Sequence, residues 1–199
     1  MRKLPTLLAI VLLSAAFGLA DELTNPKQPH NDVFTAGPAN ESPLARQIRH
    51  NLLMLPYYSI FDDLTFQLDG SVVTLQGVCP PEPPWDITRD AEDAVKKVPG
   101  VTKVIDQIKL LPLSPMDWTI RRAEQQAIYG NPQIAMRYGY QALPSIHIIV
   151  ENGHVTLDGV VDNQFDDTLI RTRANQVPDV FSVDDHLVIL NAGKPAAKK

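Results

Sequence analysis

The sequence predicts an α+β protein made of two tandem α-β-β-α-β units, each a small three-stranded mixed sheet with two helices packed on one face. Three observations lead there. One motif occurs twice, as Val73-Thr74-Leu75-Gln76-Gly77-Val78 and Val155-Thr156-Leu157-Asp158-Gly159-Val160. Each copy follows an alternating apolar run and a glycine-containing turn, the pattern of a β-hairpin. Each hairpin is flanked by stretches whose apolar residues recur at helical spacing.

The elements follow in order. Arg2 and Lys3, the uncharged run Leu7 to Phe17 and the small-residue end Gly18-Leu19-Ala20 predict a cleaved secretory signal peptide over 1–20. That run is shorter than the ~20 residues of a membrane span, so the protein is expected in the periplasm, peripheral and not membrane-spanning. Residues 21–42 are polar and proline-punctuated and read as a flexible leader. The first unit, 43–112, opens at Ser42-Pro43, an N-cap followed by a helix-starting proline, with the stripe Leu44, Ile48, Leu52 and Leu55. Its hairpin pairs Leu64, Phe66 and Leu68 with the motif across Asp69-Gly70. A second helix carries Ala91, Ala94, Val95 and Val98 and stops at Pro99-Gly100, and Val104, Ile108 and Leu110 form the last strand.

The second unit, 115–190, repeats the plan. Ser114-Pro115 opens a helix; Ile146, Ile148 and Val150 lead to the turn Asn152-Gly153; Phe165, Leu169, Ile170, Ala174 and Val177 mark the next helix; and Val183, Leu187 and Ile189 end it. The spacing between copies differs by three residues across Pro80-Pro81-Glu82-Pro83-Pro84-Trp85, a loop-sized insertion. With only Leu113 and Ser114 as linker, the units are expected to pack together. A small basic tail, 191–199, closes the chain.

Composition narrows the function. Hydrophobic residues at 44% and charged residues at 21% describe a globular chain. A net charge of −5 argues against a general nucleic-acid binder, which needs a basic footprint. Loss of Arg2 and Lys3 with the signal would leave 16 basic against 23 acidic side chains. Cys79 is the single cysteine, so no intramolecular disulfide forms; burial at a strand end and an intermolecular disulfide both stay open.

The hairpin motif from Asp69 to Val78, its partner from Asn152 to Val160, and the endings Val98-Pro99-Gly100-Val101 and Val177-Pro178-Asp179-Val180 resemble the BON domain family. The resemblance covers both units. It departs at Asp179, where the family commonly has Gly, in the proline-rich loop, and in about ten extra residues around Gln133 to Ala142. It implies a non-enzymatic envelope module that binds phospholipid or envelope components, with no catalytic residues to carry over.

Candidate sites are few. Gly70, Gly77, Gly100, Gly153 and Gly159 read as structural; of these the repeated Gly77 and Gly159 invite a phosphate-loop reading, but neither begins a Gly-rich loop entering a helix. His30, His50, His147, His154 and His186 show no ligand spacing, and nothing in the sequence points to a metal or cofactor. The helix after Ser114-Pro115 is the most informative. Met116, Ile120, Ala123 and Ala127 share one side, while Trp118, Arg121, Arg122, Gln125 and Tyr129 lie opposite. Aromatics at headgroup level and arginines for phosphate suit an anionic phospholipid surface. The same residue types suit an interface, either with the first unit or with another envelope protein.

Overall fold

The structure, a computed structural model, describes residues 33–34, 37, 40–81, 87–141 and 143–190. The expected signal peptide, most of the leader, the centre of the proline loop and the basic tail lie outside the described residues.

The first repeat contains α1 (Pro43–Leu53), β1 (Asp63–Asp69), β2 (Val72–Cys79), α2 (Ile87–Lys96), β3 (Lys103–Asp106) and β4 (Lys109–Leu110). The Ser42 hydroxyl accepts from the Ala45 N–H at 3.1 Å and caps α1. β1 and β2 pair antiparallel around Gly70-Ser71, and β3 and β4 both pair parallel to β2. The third strand of this sheet is thus broken at Gln107-Ile108 without a slip in register. Asp106 Oδ1 accepts the Ile108 N–H at 2.9 Å, a local bond that competes with the ladder. Ile48, Leu52, Ala91 and Val95 of the helices meet Leu64, Phe66, Val73 and Leu75 of the sheet in one core.

The second repeat contains α3 (Pro115–Tyr129), a short α4 (Pro132–Ile134) running into a π turn (Ala135–Gly139), β5 (Ile146–Glu151), β6 (His154–Val161), α5 (Gln164–Ala174) and β7 (Ser182–Ile189). The extra residues before its hairpin are therefore α4, the π turn and its exit. Ser114 caps α3 as Ser42 caps α1. The sheet order is β5-β6-β7, antiparallel then parallel. Ile120, Ile128, Ile134, Ile148, Leu157 and Ile170 form the second core. Phe165, expected on the core stripe of α5, is 64% exposed; Asp166 and Asp167 are buried on that helix instead. The Asp166 carboxylate receives the Tyr138 hydroxyl at 2.6 Å and pairs with Arg137, which ties α5 to the π turn.

All five singled-out glycines have positive φ. At Gly77 and Gly159 the reason is the close approach of the paired strand: an added Cβ would lie 1.9 Å from the Asp63 carbonyl oxygen and 2.0 Å from that of Ser145. Asp179, which stands where the first repeat has Gly100, adopts φ 65° in the left-handed region that Asp tolerates.

The repeats pack together through the segment between α1 and β1. Ile60 and Phe61 belong to the second core, although they precede β1 in the chain. The Ile148 N–H donates to the Ile60 carbonyl at 2.7 Å, and Lys109 reaches Glu151 at 2.7 Å. The leader, expected to be structureless over 21–42, is anchored near its end. Val33 is buried in the first core and donates to the Leu64 carbonyl at 2.9 Å, while Phe34 stacks on His147.

Candidate functional site

α3 lies along the outer edge of β5. A four-residue step on a helix advances about 6 Å, and a two-residue step on a strand advances about 6.6 Å. Asp117, Arg121, Gln125 and Tyr129 thus descend in step with residues 152, 150, 148 and 146. Asp117 accepts the Asn152 and Gly153 N–H groups at 3.0 and 2.9 Å, fixing the hairpin turn. Arg121 Nη2 donates to the Val150 carbonyl at 2.5 Å. The Tyr129 hydroxyl donates to the Ile146 carbonyl at 2.6 Å and accepts its N–H at 3.2 Å. At Ile148 the Ile60 carbonyl takes the remaining N–H. Together these groups seal an edge that would otherwise present unpaired backbone to another strand.

This corrects the expected orientation of α3. Arg121 is fully buried, with its guanidinium 5.3 Å from the Trp118 ring, and Trp118 packs edge-on against Phe61 at 6.0 Å. Trp118 and Tyr129 are half-buried against the second core. Arg122 and Gln125 remain exposed, and Met116, expected inward, is 45% exposed. The inward face carries Asp117, Ile120, Arg121, Glu124 and Ile128. Apolar periodicity missed it because three of those five are charged; the four-residue spacing Asp117, Arg121, Gln125, Tyr129 was the available signal. Glu124 lies on the stripe of Ile120 and Ile128, and its carboxyl oxygens have no hydrogen-bond partner among the described residues. Burial raises its pKa from 4.5 to about 8.

Beside the sealed edge is a cleft of about 490 Å³ between the repeats. Tyr58, Phe61, Gln125, Tyr129, Tyr140 and Pro144 contribute to its walls. Tyr140, just after the π turn, lines the cleft and is 82% exposed, and Met136 on the turn itself is also highly exposed. Phe165 follows on α5 next to Asp166, the partner of Arg137. Sequence reading did not single out Met136, Tyr140 or this cleft, since the π turn falls in a stretch without helical or strand periodicity.

The remaining polar candidates are structural in their surroundings. Cys79 is buried and free, and burial together with Asp62 pushes its thiol pKa up. His147 is buried at the junction, whereas His154 and His186 are exposed on the outer sheet face. His186 Nδ1 lies 3.9 Å from Asp158. No group of three His, Cys, Asp or Glu side chains among the described residues is placed to hold a metal ion. None of the described helices is long and apolar enough to cross a membrane.

The family model for the BON domain matches residues 40–112 and 136–191, more than half of the chain. No curated protein matches it. Among solved structures, the chain is similar to CdsD, a structural protein of the Type III secretion system of Chlamydia trachomatis. The two are 12% identical over 73% of this chain and 62% of that chain, with a TM-score of 0.28. The C-terminal domain of CdsD is 13% identical, over 76% of this chain and 99% of that one, with a TM-score of 0.25.

Proposed function

Because the chain belongs to the BON domain family, a non-catalytic family often associated with membranes and phospholipid, we propose that it is an exported, periplasmic, peripheral envelope protein that binds phospholipid surfaces. The observation that carries this reading is the exposure of three large apolar side chains, Met136 on the π turn, Tyr140 at its exit and Phe165 on α5, the helix tied to that turn through Asp166. Large apolar side chains left exposed on linked segments, one of them lining a cleft, support an interaction surface over a merely solvated face. Of the five α3 residues expected to make contact, Arg122 and Gln125 are exposed, which supports a contact role for them. Trp118, Arg121 and Tyr129 support the surface from behind, through the second core and the β5 edge. Arg122 supplies a charge-assisted donor for a phosphate group, and the aromatic rims suit the headgroup layer.

The second reading is a protein–protein module of a periplasmic assembly. The net charge of −5 favours it, because an acidic protein is not steered toward anionic lipid over long range. Flotation with neutral and anionic vesicles separates the two, with the wild type beside Met136→Asp/Tyr140→Asp and Arg122→Ala. Salt-sensitive binding to anionic vesicles, lost in the still-folded variants, supports the lipid surface. Failure of the wild type to float with either vesicle refutes it and leaves the protein partner.

A further inference from the structure

His147 lies on the outer face of β5, where the first repeat and the leader meet the second sheet. Its ring is fully buried. Phe34 stacks on it at 3.8 Å between centroids with planes 15° apart, and Tyr58 approaches at 5.8 Å. His147 Nδ1 is 2.5 Å from the Asp62 carbonyl oxygen. A carbonyl only accepts, so the ring proton sits on Nδ1 and Nε2 is the bare nitrogen. That Nε2 is buried without a hydrogen-bond partner among the described residues.

We propose that His147 is a proton-operated latch that holds the Val33–Phe34 segment and the Tyr58–Asp62 strap against the second sheet. A second proton would place a full charge at Nε2, inside a buried, stacked contact where water cannot solvate it and the Pro144 carbonyl offsets only part of the cost. Release of the strap would free the Ile60 carbonyl from the Ile148 N–H and open the β5 edge at its middle.

The charged neighbourhood does not offset that cost. From the first repeat, Tyr58, Asp62 and Asp63 face this junction, and the Asp62 carboxylate is held by the Ser59 N–H and hydroxyl, both at 2.8 Å. From the second sheet, Asp158 is the cross-strand partner of His147 and His186 is the next in that row. Asp158 accepts the Gly159 N–H at 2.9 Å. Four residues along β5, Glu151 is paired with Lys109. Burial lowers the His147 pKa from 6.5 to about 4, while the Asp62 and Pro144 carbonyls pull it upward.

A folded pKa below the free value means that the latched state is stable above pH 6.5 and loses that stability as pH falls toward 4. Each pKa unit corresponds to a tenfold change, so the ratio of open to latched forms rises by up to about 300-fold across that window. The test is intrinsic-rate-corrected amide exchange of the full chain between pH 7 and 4, in wild type and in His147→Gln, whose amide still donates to Asp62 but does not titrate. Protection of the Ile148 amide should fall with pH in wild type and stay level in the variant, with the Leu157 amide level in both. A pH-independent Ile148 amide in wild type, or a fall that persists in His147→Gln, overturns the latch. The wild-type ring signal of His147 gives an independent check. Titration near 6.5 with no change at Phe34 overturns the proposal, and a depressed titration that moves Phe34 in concert supports it.

Discussion

Glu124→Gln isolates the cost of placing an ionisable group inside the second core. In the folded protein the carboxyl holds its proton up to about pH 8, against 4.5 when free, because burial disfavours the charged form. The native state therefore binds a proton that the unfolded chain releases, and stability falls as pH rises from 4.5 to 8 before levelling off. At ~1.4 kcal/mol per pKa unit, the wild type forfeits about 3 kcal/mol by pH 7 and about 5 kcal/mol above pH 8. Gln fills the same space and has no proton to lose, so its advantage over the wild type should grow by those amounts from a baseline near pH 4. Urea unfolding of both proteins at matched pH, followed by a probe in the second repeat, measures the difference while all other titrations cancel. A difference that stays constant with pH, or a wild type that gains on the variant above pH 6, would refute the assignment of a neutral, buried carboxyl.

Three further outcomes follow from named contacts. Gly159→Ala should destabilise the second repeat by more than about 3 kcal/mol, since its Cβ meets the Ser145 carbonyl oxygen at 2.0 Å with φ at 134°; a urea midpoint within error of the wild type argues against the close approach. Tyr129→Phe should cost about 1–3 kcal/mol and speed exchange of the Ile146 amide, because the hydroxyl serves both backbone groups of that residue; unchanged exchange would mean that the edge is protected otherwise. Cys79 should react with a thiol reagent only at the rate of opening, as its side chain is buried and its thiolate disfavoured; rapid labelling of the native protein contradicts that placement.

Local chemistry made much of the fold legible before any coordinates. Ser42-Pro43 and Ser114-Pro115 start helices because a hydroxyl cap and a fixed φ act on adjacent residues, and both hydroxyls accept the expected N–H. Asn152-Gly153 makes a two-residue turn, with both residues at positive φ. The alternating runs place Ile146, Ile148 and Val150 inward and His147 outward. These signals depend on spacings of one to four residues, which a linear reading can measure.

The candidate site was less legible for the same reason. Arg121 and Tyr129 read as a polar face because their partners are backbone groups of Val150 and Ile146, remote in sequence and invisible to periodicity. Glu124 and Asp117, which the apolar pattern passes over, sit inward, one in a core whose burial holds it neutral and the other satisfied by two turn amides. Phe165 faces outward because its neighbour Asp166 turns in to meet Tyr138 and Arg137. The duplication, the order of elements, their caps and turns, and the family to which they belong all follow from short-range pattern. Which face of α3 is buried, the bridge that Ile60 makes from one repeat to the edge of the other, and the closing of the junction by His147 follow from packing alone. Those outcomes depend on hydrogen bonds and stacking between residues far apart along the chain, and such contacts come into being only when the two sheets and their helices are packed together.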